Sequence, residues 1–203
     1  MARRKEHTHE EIKVMAITAV LAHLKDESLD SLSLRKVAAV IGYVPSTLVN
    51  LFGSYQGLLL AVAEQTLSEL FERLVGQAQA PEFGGLTAMA AAYQEFAFEQ
   101  PRAFQLIFEL KATKEQGISE RHAKLIEQLF ALVESRLASL LPELPQQQCL
   151  LASRAVWAGV HGLVSLDLDD KLFAPGVSLT QAIQHHLEVQ LKGLGYHKET
   201  LCC

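Results

Sequence analysis

Two short helical patterns that meet at Gly42 constrain the fold of this chain more than any other feature. Before the glycine, apolar residues recur at helical intervals: Leu34, Val37, Ala38 and Ile41. Gly42 itself can adopt the positive φ that a tight turn between two helices requires. After it, Pro45 suits the first turn of a second helix, whose inward stripe is formed by Leu48, Leu51 and Phe52. The spacing predicts a helix–turn–helix between residues 33 and 56.

The outward face of the second predicted helix carries only uncharged side chains. In a helix–turn–helix that binds DNA, this face enters the major groove, and Asn50 is our best candidate for reading a base, with adenine preferred. Lys and Arg normally supply the phosphate contacts, but the chain from Gly42 to Gln56 has none. We expect those contacts to come from neighbouring segments. The candidate DNA-binding residues are Arg3, Arg4, Lys5, Arg35, Lys36, Ser46, Thr47, Val49, Asn50, Ser54 and Tyr55.

The N-terminal part of the chain is more basic than the rest, as expected for a DNA-binding segment. Through residue 56 the chain carries seven Lys or Arg against six Asp or Glu, whereas the remainder carries eleven against seventeen. The asymmetry is small, so it predicts modest affinity for DNA, with a salt dependence set by the number of phosphates contacted.

The same segment resembles the N-terminal motif of the TetR family of transcriptional regulators. The matching residues are Ser33, Leu34, Arg35, Val37, Ala38, Gly42, Leu48, Phe52, Ser54, Leu58 and Leu59. Near the other end, the run WAGVHG from Trp157 to Gly162 is similar to the tryptophan-histidine-glycine signature of one subfamily of TetR ligand domains. The chain departs from the family at Val49 and Leu51, where tyrosine and histidine are usual, and at Tyr55, where lysine is usual.

Helical periodicity continues through the rest of the chain, and no strand alternation or internal repeat is present. Capping-box patterns at Thr8 with Glu11 and at Ser178 with Gln181 predict the starts of the first and last helices. A long helix is expected after Ser54, and the run GQAQAPEFGG predicts a break from Gly76 to Gly85. We predict an all-α fold of about nine helices, with a three-helix DNA-binding domain at residues 1–53 and a helical effector-binding and dimerisation domain at residues 54–203.

Aromatic side chains fall on several helices of the predicted body, and apolar clefts between helices are the usual form of small-molecule sites. The resemblance implies an effector pocket among these helices and favours a hydrophobic or amphipathic ligand. The alternative is that these aromatic residues are ordinary core, with the Trp157 indole packed on the His161 imidazole. The candidate pocket residues are Phe71, Tyr93, Phe96, Phe104, Gln105, Phe108, Trp157 and His161.

A face of small residues on the helix over residues 146–166 allows another helix to come close. Together with the last helix it could form a two-fold four-helix interface, which the resemblance also implies. A single chain could instead bury these residues internally. The candidate interface residues are Ala152, Ala155, Val156, Gly159, Leu163, Ile183 and Leu187.

Composition bounds the remaining possibilities. With 203 residues and 49% apolar content, the chain can bury a substantial core. We find no secretory segment and no apolar run close to the length of about 18 to 20 residues that spans a bilayer, so we expect a cytoplasmic protein without membrane contact. Cys149, Cys202 and Cys203 lack the spacing of a zinc site. We predict no metal, no cofactor and no enzymatic activity.

These observations favour a DNA-binding transcriptional regulator, a ligand-responsive repressor that reads a palindromic operator as a homodimer. Its partners would be double-stranded DNA and a small effector. The uncharged face of the second helix motivates one alternative, a small-molecule sensor or partner-binding module of the same fold with weakened or lost DNA binding.

Overall fold

A computed structural model describes residues 7–77, 82–110, 119–172 and 176–196, without the side chains of Glu82 and Phe83. Over these ranges the chain forms nine α-helices, one short 3-10 helix at Leu29–Ser31 and no strand, which confirms the predicted all-α class. The helices are α1 His9–Asp26, α2 Leu34–Val40, α3 Pro45–Phe52, α4 Tyr55–Gln77, α5 Glu82–Glu99, α6 Pro101–Glu109, α7 Glu120–Leu140, α8 Gln146–Leu168 and α9 Leu179–Gly193.

The chain divides into two compact units, which we call the head unit and the body unit. The head unit consists of the described residues of Met1–Glu69 and Gln100–His122, and the body unit of those of Leu70–Glu99 and Ala123–Cys203. Helices α4 and α7 therefore contribute residues to both units. The domain boundary near residue 53 stays a prediction.

The core of the head unit is formed by the apolar stripes of α1 to α4 and by one side of α6. Helix α1 buries Ile12, Ala16, Val20 and Leu24 at helical intervals. Helix α6 adds Ala103 and Leu106 to the same cluster. The guanidinium of Arg102 donates to the backbone oxygens of Leu24 and Lys25, at 3.2 and 2.8 Å, and so satisfies carbonyls that the end of α1 leaves free.

The body unit is built around the packing of α8 on α9, with α5 against both helices. Helix α8 buries one side of its length, and α9 buries a stripe at four-residue spacing consisting of Leu179, Ile183, Leu187 and Leu191. Because these residues recur on one face of each helix, the two faces can pack together and exclude water.

The helix starts agree closely with the sequence prediction, whereas one predicted break between helices differs from the structure. Both capping boxes are present, at Thr8 with Glu11 and at Ser178 with Gln181, and the Ser54 hydroxyl accepts from the Gly57 N–H at the start of α4. The predicted break over residues 76–85 is too long, because α5 begins at Glu82 and includes two glycines. Glycine in a helix costs only about 1 kcal/mol, which burial of the following Leu86 and Met89 offsets.

One helix of the described residues, α8, is long and apolar enough to cross a membrane by length and composition alone. The expectation that no apolar run approaches the length of a membrane span is therefore wrong for α8. The finding is weak evidence for a span, because a core helix of a soluble protein passes the same test.

Candidate functional sites

The turn between α2 and α3 has the geometry that the sequence predicts. Gly42 has φ +76°, a backbone conformation that residues with a Cβ rarely adopt. The N–H of Tyr43 donates to the Ala38 oxygen at 2.9 Å and closes the end of α2. Ala38 and Leu48 are both fully buried, so the two short helices pack on each other and on α1 through small and branched apolar side chains.

Helix α3 turns an uncharged face to solvent. Leu48 points into the core, whereas Ser46, Val49 and Asn50 are exposed and Thr47 is half-buried. Because Val49 and Asn50 follow Ser46 by three and four residues, these three side chains lie on one face of the helix. Pro45 occupies the first turn, and Val44 caps the helix without a side-chain hydrogen bond.

The other predicted DNA-binding residues fall into three groups. Arg35 and Lys36 are exposed at the start of α2, where Lys36 Nζ donates to the Ser31 oxygen. Ser54 is engaged as the cap of α4, and the Tyr55 hydroxyl is buried without a hydrogen-bond partner among the described residues. Burial raises the pKa of that hydroxyl. Arg3, Arg4 and Lys5 lie outside the described residues.

In the body unit, three of the predicted pocket residues form one hydrogen-bonded cluster, which we call the Tyr93 cluster. It consists of Tyr93 on α5 with Trp157 and His161 on α8. The Tyr93 hydroxyl lies 2.9 Å from His161 Nδ1, and the side chains of Tyr93 and Trp157 are hydrogen-bonded. The indole of Trp157 stacks on the imidazole of His161, with centroids 5.2 Å apart and planes at 11°.

The donors in the Tyr93 cluster follow from the chemistry of its members. An indole N–H can only donate, so Trp157 donates to the Tyr93 oxygen, and the Tyr93 hydroxyl can in turn donate to His161 Nδ1. When Tyr93 donates in this way, the proton of the neutral imidazole is on Nε2, which lies 3.4 Å from the Ser165 hydroxyl. Burial lowers the pKa of His161 and raises that of Tyr93, so both groups stay neutral near pH 7.

An apolar cavity of about 50 Å³ lies beside the cluster within the body unit. Its walls include Leu74 of α4 and Val160 of α8, together with Tyr93 and Trp157. Pockets for drug-sized ligands usually measure about 300 to 1,000 Å³. In this conformation the cavity is therefore too small for such a ligand, and its walls would have to move to admit one.

The remaining predicted pocket residues have other surroundings. Phe96 is buried in the body unit, where the Arg73 guanidinium lies 5.7 Å from the centre of its ring, and Phe71 is half-buried. Phe104, Gln105 and Phe108 belong to the head unit. The rings of Phe104 and Phe108 meet edge to face, with centroids 5.2 Å apart.

The predicted dimer residues divide between the inside and the outside of the body unit. Ala152, Val156, Ile183 and Leu187 are buried by the chain's own side chains. Ala155 is exposed, and Gly159 and Leu163 line an open apolar groove of about 880 Å³ between α8 and α9. The outward stripe of α8, which we call the α8 face, consists of Leu151, Ala155, Ala158, Gly162 and Leu166.

Several residues at these sites are absent from the sequence prediction. Leu86, Met89 and Ala90 line the cavity and lead to Tyr93 at i, i+3, i+4 and i+7, a helical stripe that could have indicated them. Phe130 meets the Trp157 ring edge to face at 5.5 Å, and the Arg154 guanidinium lies 4.1 Å from the centre of the Phe130 ring. No sequence pattern signals that contact, because α7 and α8 pair only in the folded chain.

Comparisons with known proteins agree with this architecture, an N-terminal helix–turn–helix followed by a helical body. Residues 86–189 match the family model described as "Tetracyclin repressor-like, C-terminal domain", which spans more than half of the chain. The chain belongs to this family, the TetR-like proteins. No curated protein sequence matches the chain.

Solved structures share the fold over nearly the whole chain. A protein of unknown function from Rhodococcus sp. RHA1 is 18% identical, with a TM-score of 0.76 and coverage of 96% of this chain and 99% of that one. A candidate transcriptional regulator from Pseudomonas aeruginosa PAO1 is 22% identical, with a TM-score of 0.70 and coverage of 95% and 94%. NalD of Pseudomonas aeruginosa, the secondary repressor of the MexAB-OprM multidrug efflux pump, is 20% identical, with a TM-score of 0.60 and coverage of 91% and 96%. At these identities the likeness concerns the fold.

Proposed function

We propose that this protein is a cytoplasmic transcriptional regulator that binds duplex DNA as a homodimer and releases it when a small effector binds. The observation that carries the proposal is the α2–Gly42–α3 geometry, with a solvent-facing recognition helix on a chain of the TetR-like family. The role of NalD as a repressor supports repression as the direction of control.

In this proposal, α3 of each protomer enters the major groove, and the two half-sites of a palindromic operator lie about 34 to 36 Å apart or a multiple of that. Arg35 and Lys36 contact phosphates, because they are the exposed cations closest in sequence to α3 among the described residues. Asn50 reads a base, and adenine offers its amide the matching donor and acceptor.

The binding experiment is fluorescence anisotropy with the DNA upstream of the protein's own coding sequence, at about 50 and 200 mM salt. Arg35→Ala should weaken binding to all sequences alike and lower the salt slope by about one per lost phosphate contact. Asn50→Ala should instead relax the preference at one base position and leave the slope unchanged. Equal effects of the two variants on specificity would contradict these roles.

We propose further that the α8 face, together with the groove beside α9, is the dimer interface. Its exposed residues are small or apolar, which suits close packing against a second copy around a two-fold axis. Leu166→Glu adds a charge to this face without touching the buried side of α8, so it should yield monomers in analytical ultracentrifugation. Val14→Glu, an exposed valine on α1, is the matched control and should leave the dimer intact. A Leu166→Glu dimer would contradict this interface.

The effector site is the third part of the proposal. The Tyr93 cluster and its apolar cavity favour a hydrophobic or amphipathic ligand that enlarges the cavity and meets one polar edge at Tyr93 and His161. A panel of such compounds would be screened by thermal shift. Compounds that raise the midpoint should lose that effect in His161→Phe and should release DNA from the wild-type protein. A compound that stabilises the wild-type protein and His161→Phe equally would bind elsewhere.

A second candidate function is a sensor or partner-binding module of the same fold with weakened or lost DNA binding. The observation that favours it is the absence of any charged side chain from Gly42 to Gln56. The same anisotropy experiment separates the two functions, since the module would bind no duplex even at low salt.

A further inference from the structure

Val49 stands out among the exposed side chains of the helix–turn–helix. Its side chain is 42% exposed on the outward face of α3, whereas Leu48 beside it is fully buried. Val44 and Val40, at the start of α3 and the end of α2, are 61% and 75% exposed. None of these three valines contributes to the core of the head unit. The Val49 side chain, at the centre of an otherwise polar face, is thus available to contact an apolar group of a partner.

The charge around this face identifies the kind of partner. Between Asp30 and Glu64 the chain contains two charged residues, Arg35 and Lys36, and no acidic residue. Both cations are exposed at the start of α2. A surface with cations at its margin, an apolar side chain at its centre and no carboxylate is complementary to a polyanion that presents an apolar group. Duplex DNA presents one such group in the major groove, the C5-methyl of thymine.

We propose that Val49 contacts the C5-methyl group of a thymine, beside the adenine that Asn50 reads. This inference rests on the proposed DNA-binding function. Val49 and Asn50 are adjacent on the exposed face of α3, so one helix can meet neighbouring base pairs with both side chains. The half-site therefore contains at least two A·T pairs. At one of them, burial of the methyl group against Val49 distinguishes thymine from the other bases.

The test uses the full-length protein and duplexes selected with it from a random-sequence pool at low salt. Each thymine of the selected half-site is replaced in turn by deoxyuridine, which pairs identically and lacks only the methyl group. At one position the replacement should lower the binding affinity about fourfold per half-site, the value expected for one buried methyl group. Val49→Ala should bind the thymine and deoxyuridine duplexes equally well. Val14→Ala, the matched exposed valine on α1, should keep the full difference.

Each outcome decides one claim. If a specific duplex is selected but no deoxyuridine weakens its binding, the methyl contact is wrong and the DNA-binding function stands. If the loss persists in Val49→Ala, the assignment to Val49 is overturned. Tighter binding when 5-methylcytosine replaces the thymine would overturn thymine as the recognised base. If no sequence is enriched and no duplex binds at low salt, the proposed function itself fails.

Discussion

His161 is held on three sides within the body unit. The Trp157 ring covers one of its faces, the Tyr93 hydroxyl meets its Nδ1 and Ser165 lies near its Nε2. Both ring nitrogens thus have neighbours inside the chain, so the tryptophan-histidine pair joins α5 to α8 even without a ligand. An effector that uses His161 would have to exchange one of these contacts for its own.

Tyr93→Phe tests this cluster. The change removes the hydroxyl, which accepts from Trp157 and is hydrogen-bonded to His161, and leaves the ring in place. Loss of a buried hydrogen-bond partner typically costs about 1 to 2 kcal/mol, so the free energy of unfolding in urea should fall by that amount. In a His161→Phe background the same change should cost much less, because one of its partners is already gone. Equal losses in both backgrounds would show that the two side chains act independently.

Gly42→Ala tests the turn before α3. No other atom lies within 4 Å of the added methyl group, so any loss comes from the backbone at φ +76°. The left-handed conformation costs about 1 to 2 kcal/mol for a residue with a Cβ. The urea midpoint should decrease accordingly. Gly76→Ala, where the space is also open and φ is not positive, is the control and should not destabilise the protein.

Gly159 lies where α8 and α9 pack against each other. A Cβ at this position would overlap the His186 imidazole, whose Nε2 lies 3.3 Å from the Val156 oxygen. Gly159 thus serves the packing within one chain, and a bulky residue there would disturb the body unit before it reached any dimer partner. For this reason Leu166 is the better position for testing the interface.

A pair of glycines on α8 provides the matching stability experiment. Gly159→Ala should lower the thermal midpoint, because His186 must move to make room. Gly162→Ala, three residues later in the same helix, adds a methyl group with no atom of a neighbouring element within 4 Å, so within the chain it should raise the midpoint slightly, since alanine favours a helix over glycine by up to about 1 kcal/mol. A midpoint that rises equally in both variants would show that the His186 ring moves at no cost.

The helix boundaries show what local sequence can predict. Thr8 with Glu11 and Ser178 with Gln181 specify helix starts because each cap bonds groups only three residues away. The glycine pair at the start of α5 was misleading because packing of the following residues outweighs a small local cost. Local signals are therefore reliable where their partners are local.

At the scale of the whole molecule, two half-buried or buried histidines make folding sensitive to acid. Burial lowers the pKa of His161 in the body unit and of His122 in the head unit, where Glu64 opposes part of the shift. A histidine whose folded pKa lies below its unfolded value of about 6.5 contributes no pH dependence above that value. As the pH falls below it, the unfolded chain takes up protons first, so stability declines until the folded pKa is passed.

The measurement is the urea unfolding free energy between about pH 7.5 and 5. It should decrease below about pH 6.5, and His161→Phe should reduce the slope. His185→Gln, at an exposed position on α9, is the control and should leave the slope as it is. An identical slope in His161→Phe would contradict the assignment.

The sequence by itself determined the helical class, the turn at Gly42 and the capped helix starts, because each depends on residues within one or two helical turns. Only the tertiary structure decided which side of α8 faces inward. Apolar or small residues occur all around that helix, so periodicity alone could not separate buried Ala152 and Val156 from exposed Ala155 and Ala158. It likewise decided that Tyr93 bonds His161, a contact between residues 68 positions apart that depends on the packing of α5 against α8.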